Sequence, residues 1–125
     1  MNIGHTTAAY QADGRPVGRE AFYAAACDPQ RSVVVEACAG AGKTWMLVSR
    51  ILRALLDGAQ AHEILAITFT RKAAAEMRER LNDWLREFSS LNASHEARVQ
   101  ALRDRGVPAA RAAELADTLG ALHAR

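Results

Sequence analysis

The chain has 125 residues, half of them hydrophobic and 24% charged, which is typical of one ordinary globular domain and excludes a disordered or fibrous chain. Its formal net charge of +2 is too small to predict a nucleic-acid partner from bulk electrostatics. It contains no apolar run long enough to span a membrane, and its start lacks the basic head and apolar stretch of a secretory signal. We therefore expect a cytoplasmic protein with no membrane partner.

The first part of the chain carries few structural signals. Residues 1–16 are polar and turn-prone, and we predict a flexible lead-in there. A short helix is predicted over 18–27, and it ends before Pro29 because the residue preceding a proline avoids the α region. The two cysteines, Cys27 and Cys38, lack CxxC or Cys/His spacing, so neither a zinc site nor a disulfide framework is indicated.

A strand–helix–strand–helix order follows. Residues 32–36 form a β-branched run bounded by polar residues, which is typical of a strand covered on both faces. Residues 43–57 have the apolar spacing of an amphipathic helix that ends at Gly58. A second buried strand is predicted over 64–70 and a long helix over 71–88. Because a crossover helix makes its two strands parallel, we expect an α/β fold, a parallel sheet with flanking helices.

Beyond Ser90 the pattern predicts helices alone. Ser94 can cap a helix that runs to about Arg105, and the residues 106–108, Gly-Val-Pro, stop it and start another. The last helix has only a thin leucine stripe among alanines, so we expect this tail to be docked on another surface or partly mobile. The predicted organisation is a lead-in over 1–16, an α/β part over 17–90 and a helical extension over 91–125.

The loop between the first strand and its helix carries the clearest chemistry. Small residues let backbone N–H groups surround a phosphate, and the start of a helix adds unpaired donors and a positive dipole end. Lys43 would neutralise the β and γ phosphates, and the Thr44 hydroxyl would bind Mg²⁺. We therefore predict a P-loop for ATP and magnesium. Its residues are Ala37, Cys38, Ala39, Gly40, Ala41, Gly42, Lys43, Thr44 and Trp45.

The loop departs from the general P-loop pattern GxxxxGK[ST] at Ala37, where a glycine is usual. AGAGKT and, further along, ILAITFTRKAAAEMRERL together resemble the first two motifs of the UvrD/Rep/RecB (AddA-like) group of superfamily I DNA helicases. That group has AxAGxGKT in the loop, so Ala37 fits it. The resemblance covers about residues 30–88 and implies a P-loop NTPase of the RecA-like type. By the plan of that group, the chain is expected to be the opening part of a longer protein.

The second motif implies contacts to single-stranded DNA. A strand that ends at Phe69 exposes a ring for base stacking, and the helix start that follows offers donors to a phosphate. From the residues alone, the favoured interpretation is that Phe69 is a core aromatic and that Arg71 and Lys72 are a solvated first turn. The resemblance favours DNA contact. Its candidate residues are Thr68, Phe69, Thr70, Arg71 and Lys72, with Arg71 standing where the group usually has asparagine.

Two other features of that group are not found in the sequence. That group has a glutamine that recognises adenine, but this sequence has no glutamine in the corresponding region around Arg19. Arg19 or Tyr23 is left as a candidate for contact with the base. Hydrolysis also needs an acidic strand end and arginines from a second domain, and neither follows residue 70. We therefore expect this chain alone to hydrolyse ATP negligibly.

The resemblance implies that the longer parent is an ATP-dependent DNA helicase or helicase-nuclease subunit that moves on single-stranded DNA and takes part in DNA repair. Its partners would be single-stranded DNA and the remainder of the helicase chain or a partner subunit. Two alternatives stay open. One is a small-molecule P-loop kinase, which would need a mobile arginine-bearing lid. The other is a non-catalytic, nucleotide-gated interaction module that binds a partner through its helical tail.

Overall fold

A computed structural model describes residues 10–36, 42–89 and 93–121. The protein is mostly helical, and each predicted helix is confirmed to within a residue or two at its ends. The helices are α1 (Arg19–Ala26), α2 (Lys43–Leu56), α3 (Arg71–Ser89), α4 (His95–Asp104) and α5 (Ala109–Ala121), with a single 3₁₀ turn at Ala61–Glu63.

A short hairpin precedes α1, within the stretch predicted as a lead-in. The strand β1 (Gln11–Ala12) pairs antiparallel with β2 (Arg15–Pro16). The turn residues Asp13 and Gly14 both have positive φ, of 53° and 78°. Such a two-residue turn favours an Asp-Gly pair, so the local sequence accounts for the hairpin.

The ends of two helices follow the predicted capping. After α2, Gly58 adopts a φ of 107°, and the N–H of Ala59 donates to the carbonyl of Ala54 at 3.0 Å. This is the pattern of a Schellman motif, in which glycine avoids the strain of the left-handed region. Before α4, the Ser94 hydroxyl accepts a hydrogen bond from the N–H of Ala97 at 3.0 Å. Both predicted caps are confirmed.

The main core lies between α2, α4 and α5, and one face of α3 covers it. Ala112 and Ala116 of α5 are fully buried, because small side chains allow the two tail helices to approach each other closely. The tail is therefore docked, one of the two outcomes expected for it; Leu122, the last leucine of its stripe, lies outside the described residues. The buried residues of this core are Leu52, Leu56, Leu102, Val107, Ala112, Ala116 and Leu119.

A second cluster joins α1 to the start of α2. Its buried members are Tyr23, Ala26, Cys27 and Met46, and Trp45 packs against them. Polar contacts from α2 support the same junction. The guanidinium of Arg53 donates to the carbonyls of Tyr23 and Ala24 at 3.4 and 3.3 Å, and that of Arg50 donates to the carbonyl of Ala26 at 2.8 Å. These contacts add hydrogen bonds to carbonyls in the last turn of α1, of which that of Tyr23 also accepts the N–H of Cys27.

The end of α4 packs directly on the backbone of α1. Gly106 has a φ of 88°, and a Cβ there would lie 2.4 Å from the carbonyl carbon and oxygen of Tyr23. No side chain fits in that space, so only glycine allows this approach. Nearby, the guanidinium of Arg19 donates to the carbonyl of Asp104 at 3.1 Å.

The predicted parallel sheet is not formed within the described residues, where the hairpin is the only sheet. Residues 32–36 and 64–70 have no strand assignment. Several of their apolar side chains are exposed, by 94% at Val34, 83% at Leu65 and 81% at Ile67, although burial on both faces was expected; Val35 is half-buried against the second cluster. The physical reason is that a strand forms its hydrogen bonds only with a neighbouring strand, and no such neighbour lies beside either segment in the described ranges.

Candidate nucleotide and nucleic-acid sites

The predicted phosphate loop ends at the start of α2, and only this end of it is described. Gly42 is the N-cap of α2 with φ 88° and ψ 17°, a left-handed conformation that glycine adopts without strain. Its carbonyl accepts the N–H of Met46 at 3.0 Å, the first bond of the helix. The side chains of Lys43 and Thr44 are exposed. Outside the described residues are Ala37, Cys38, Ala39, Gly40 and Ala41.

The start of α2 differs from the starts of α3 and α4. No side chain caps it, and its first turn, like that of α3, contains no acidic residue. In α3, by contrast, the Thr70 hydroxyl accepts the N–H of Ala73 at 3.0 Å, and α4 has the Ser94 cap. The first N–H groups of an α-helix have no partner within the helix, and they carry the positive end of its dipole. The start of α2 therefore offers donors and positive potential to an anionic ligand.

An aromatic wall stands beside this helix start. The rings of Tyr23 and Trp45 meet edge to face with 5.0 Å between their centroids. The guanidinium carbon of Arg19 lies 4.7 Å from the Tyr23 ring centroid and 5.4 Å from that of Trp45. The Tyr23 hydroxyl is 4.0 Å from the position of a Cβ on Gly42. Both sequence candidates for the base, Arg19 and Tyr23, are thus brought to the predicted phosphate site.

The Tyr23 side chain is buried, and burial raises the pKa of its phenol above the usual value of 10.0. The phenol is therefore neutral near pH 7 and can both donate and accept a hydrogen bond. Arg105 extends the wall, because its guanidinium packs against the rings of both Trp45 and Trp84. The sequence contains no signal for this residue, since it reaches the wall only through the packing of α4.

The predicted DNA-contact residues lie at the start of α3. The Phe69 ring is fully exposed and is not part of the core of the described residues. Thr70, Arg71 and Lys72 are also exposed, whereas Thr68 is half-buried and its hydroxyl donates to the carbonyl of Thr70 at 2.9 Å. An unburied aromatic ring next to two cations is an arrangement that suits stacking on a base beside a phosphate.

An apolar groove runs between α2 and the segment 64–68 that leads to these residues. Leu47 and Ile51 of α2 line it on one side, Ile64 and Ile67 on the other, and Met77 of α3 contributes as well. Both candidate sites therefore follow a segment with exposed apolar side chains, and each is at the start of a packed helix.

Within the ranges 10–36, 42–89 and 93–121, no group of three or more His, Cys, Asp or Glu side chains is placed to hold a metal ion. Thr44, the predicted Mg²⁺ ligand, is exposed at the start of α2. None of the helices described is long and apolar enough to cross a membrane.

Comparison with known proteins identifies the family. Residues 18–116 match the UvrD/REP helicase N-terminal domain, so the chain belongs to that family, and the resemblance seen in the two motifs is confirmed. It is similar to proteins named as ATP-dependent helicase/nuclease subunits. The relative from Levilactobacillus brevis is 42% identical over 69 residues, which are 55% of this chain and 6% of that protein.

Two further relatives with the same name show similar coverage. The one from Ligilactobacillus salivarius is 40% identical over 72 residues, 57% of this chain and 6% of its own length. The one from Lactobacillus helveticus is 46% identical over 54 residues, 43% of this chain and 4% of its own length. The chain thus spans only a small part of the relatives that it matches. No solved structure was found to match it.

Proposed function

We propose that this chain is the ATP-binding, N-terminal part of a UvrD-like ATP-dependent DNA helicase or helicase-nuclease subunit, which couples ATP hydrolysis to movement on single-stranded DNA. The observation that carries the proposal is the start of α2, where a helix without a side-chain cap presents Lys43 and Thr44 in a chain of the UvrD/REP family. The name of the relatives, which includes ATP dependence, agrees with it.

The residues at this helix start fit ATP and magnesium. Open backbone donors and the Lys43 ammonium suit the phosphates, and the Thr44 hydroxyl suits Mg²⁺. When bound, the metal would neutralise charge on the phosphates. Residues 37–41 of the loop would surround the phosphates, and Trp45 would border the site. Arg19 and Tyr23 are the residues that we propose for contact with the base, since the Tyr23 hydroxyl lies near Gly42 and the Arg19 guanidinium packs on the Tyr23 ring.

DNA contact is proposed at the start of α3. The exposed ring of Phe69 would stack on a base. The phosphate backbone of the DNA would be bound by Thr68, Thr70, Arg71 and Lys72. The exposed position of Phe69 supports this assignment, because a ring that is not packed in the core is accessible for stacking on a base.

We also propose that residues 32–36 and 64–70 are strands of a RecA-like parallel sheet within a domain that starts near residue 17, with 1–16 as its lead-in and 91–125 as its helical extension. The neighbouring strands would come from the remainder of the helicase chain. The exposed side chains of Val34, Leu65 and Ile67 support this proposal, because strands of a parallel sheet are apolar on both faces.

The nucleotide assignment can be tested with the two lysines of the chain, Lys43 and Lys72. In a titration with a fluorescent, non-hydrolysable ATP analogue and Mg²⁺, Lys43→Ala should weaken binding by about 10- to 100-fold, as expected for loss of charge-assisted phosphate contacts. Lys72→Ala is the matched control and should bind like the unsubstituted chain. Equal affinity of all three proteins would remove the phosphate role of α2.

A further inference from the structure

A buried arginine packs against the rings of two tryptophans. Arg105 follows α4 and is only 5% exposed. Its guanidinium carbon lies 3.8 Å from the ring centroid of Trp84, 5.1 Å from that of Trp45 and 5.5 Å from that of Phe88. We call these four side chains the arginine–aromatic cluster. The two tryptophan rings also meet each other, with centroids 5.8 Å apart.

The position of Arg105 is costly for a cation. One guanidinium nitrogen donates to the carbonyl of Ala101 at 2.8 Å, whereas its Nε is buried without a hydrogen-bond partner in the described part of the chain. Burial lowers the pKa of this guanidinium to about 10. An apolar side chain would fill the same space without that cost. The faces of the aromatic rings offset part of it, since a desolvated cation is attracted to their π electrons.

The cluster links the helical extension to the helix that starts at the candidate nucleotide site. Trp45 is next to Thr44 in the first turn of α2, and its ring contacts the rings of Tyr23 and Trp84 and the guanidinium of Arg105. The backbone that carries Arg105 is fixed as well, because the neighbouring Gly106 packs on the backbone of α1. We therefore expect a change at Arg105 to alter the packing of the Trp45 ring.

We propose that Arg105 is a positioning residue for the nucleotide site: it fixes the Trp45 ring and thereby the first turn of α2, which presents Lys43 and Thr44. This inference rests on the proposed function. It extends that function because the helical extension, which carries neither of the two helicase motifs, then contributes to nucleotide affinity.

A double-mutant cycle separates positioning from general stability, because coupled residues give non-additive effects. The affinity for the fluorescent, non-hydrolysable ATP analogue is measured for Arg105→Met, Trp45→Leu and the double variant. Arg105→Met should weaken binding about fivefold, a change typical of coupling between residues in contact. In the Trp45→Leu background it should have no further effect. Arg105→Lys keeps the charge and should restore part of the affinity.

Arg103→Met is the matched control, because Arg103 is an exposed arginine near the same end of α4. It should leave the affinity unchanged. If Arg105→Met does not fold, Arg105→Lys replaces it in the cycle, and its smaller loss should likewise disappear in the Trp45→Leu background.

The outcomes distinguish this inference from the proposed function. Additive losses in the cycle would overturn the positioning role, and so would unchanged affinity of the Arg105 variants while Lys43→Ala loses binding. In both cases the nucleotide site itself would stand. If the unsubstituted chain does not bind the analogue at all, the proposed function fails, and the positioning role fails with it.

Discussion

The packed helices and the two segments 32–36 and 64–70 contain the same kinds of apolar residue. The helices bury these side chains, whereas the segments leave several of them exposed. Leu102 and Leu119 in the helical core are fully buried, whereas Leu65 and Ile67 in the second segment are more than four-fifths exposed. A helix satisfies its own backbone hydrogen bonds and needs a partner for one face only. A buried strand needs neighbours for its backbone and cover for both faces. The helices therefore find the packing partners they need within the described residues, whereas the two segments lack the neighbours that a buried strand needs.

The comparison also explains where the candidate sites lie. Residues 32–36 lead toward α2, and residues 64–68 lead toward α3. Each site is thus at the start of a helix that the packed region already fixes. The candidate residues Lys43 and Lys72 can then be in place although the segments before them have no strand neighbours.

The largest effect is expected at Gly106, where the helical region is packed most tightly. Gly106→Ala adds a Cβ within 2.4 Å of the Tyr23 backbone at a positive φ, so it should cost about 3 to 5 kcal/mol of unfolding free energy. Gly58→Ala is the control, since its φ is also positive but the space around it is open; it should cost about 1 to 2 kcal/mol. Chemical denaturation measures both. Equal costs would contradict the close packing of α4 on α1.

Two leucine substitutions test the contrast between the buried helical core and the exposed second segment. Leu102→Ala should lower the free energy of unfolding by about 3 kcal/mol, because it leaves a cavity in the core. Leu65→Ala should change it by less than about 0.5 kcal/mol, since that side chain has little to lose in this chain. Urea denaturation of the two variants is sufficient. A large loss from Leu65→Ala would mean that the segment is already packed.

At the second segment, function and stability should separate. In the proposed full-length helicase, Phe69→Ala should weaken single-stranded DNA binding by about 1 to 3 kcal/mol with little change in its salt dependence, as expected for a lost stacking contact. Lys72→Ala should instead flatten the salt dependence, because it removes one contact that releases a counterion. DNA titrations at several salt concentrations distinguish the two. Phe69→Ala should also leave the melting temperature unchanged; if it unfolds the domain, Phe69 is a core residue and the DNA assignment is wrong.

A smaller effect is expected from pH in the α1–α2 junction. Burial raises the pKa of the Cys27 thiol from 9.0 to about 11, and the nearby charges of Arg53, Arg50, Arg105 and Arg19 only partly oppose it. The unfolded chain therefore loses this proton first, so stability falls as the pH rises above about 9, by about 1 kcal/mol between pH 9 and 10. Cys27→Ala should reduce that fall. Denaturation curves at the two pH values test it, and an equal fall in both proteins would exclude Cys27 as its source.

The helices could be predicted from the sequence because their signals are local. Apolar spacing fixed their faces, and Gly58 and Ser94 marked two of their ends. The two segments were recognised as apolar and short, but strand pairing depends on neighbours that no local pattern identifies. Burial of Ala112 and Ala116 was underestimated, because close helix contact is a property of two helices and not of one stripe.

The candidate sites show the same division. Lys43, Thr44 and Phe69 were predicted from motifs in which adjacent residues carry the chemistry. Arg105 could not be predicted in this way, because it lies 60 residues from Trp45 in the sequence and no spacing rule connects the two. The contact between these two side chains forms only because the helical tail is docked.

Amide hydrogen exchange of this chain, followed residue by residue, tests the central claim most directly, because exchange is slow only where a stable hydrogen bond protects the N–H. We expect slow exchange in α2, α4 and α5, and nearly unprotected amides over 33–36 and 65–68. Protection of these two segments as strong as that of the helices would show that they are already paired, and the contrast between the complete helical region and the unpaired segments would then be wrong.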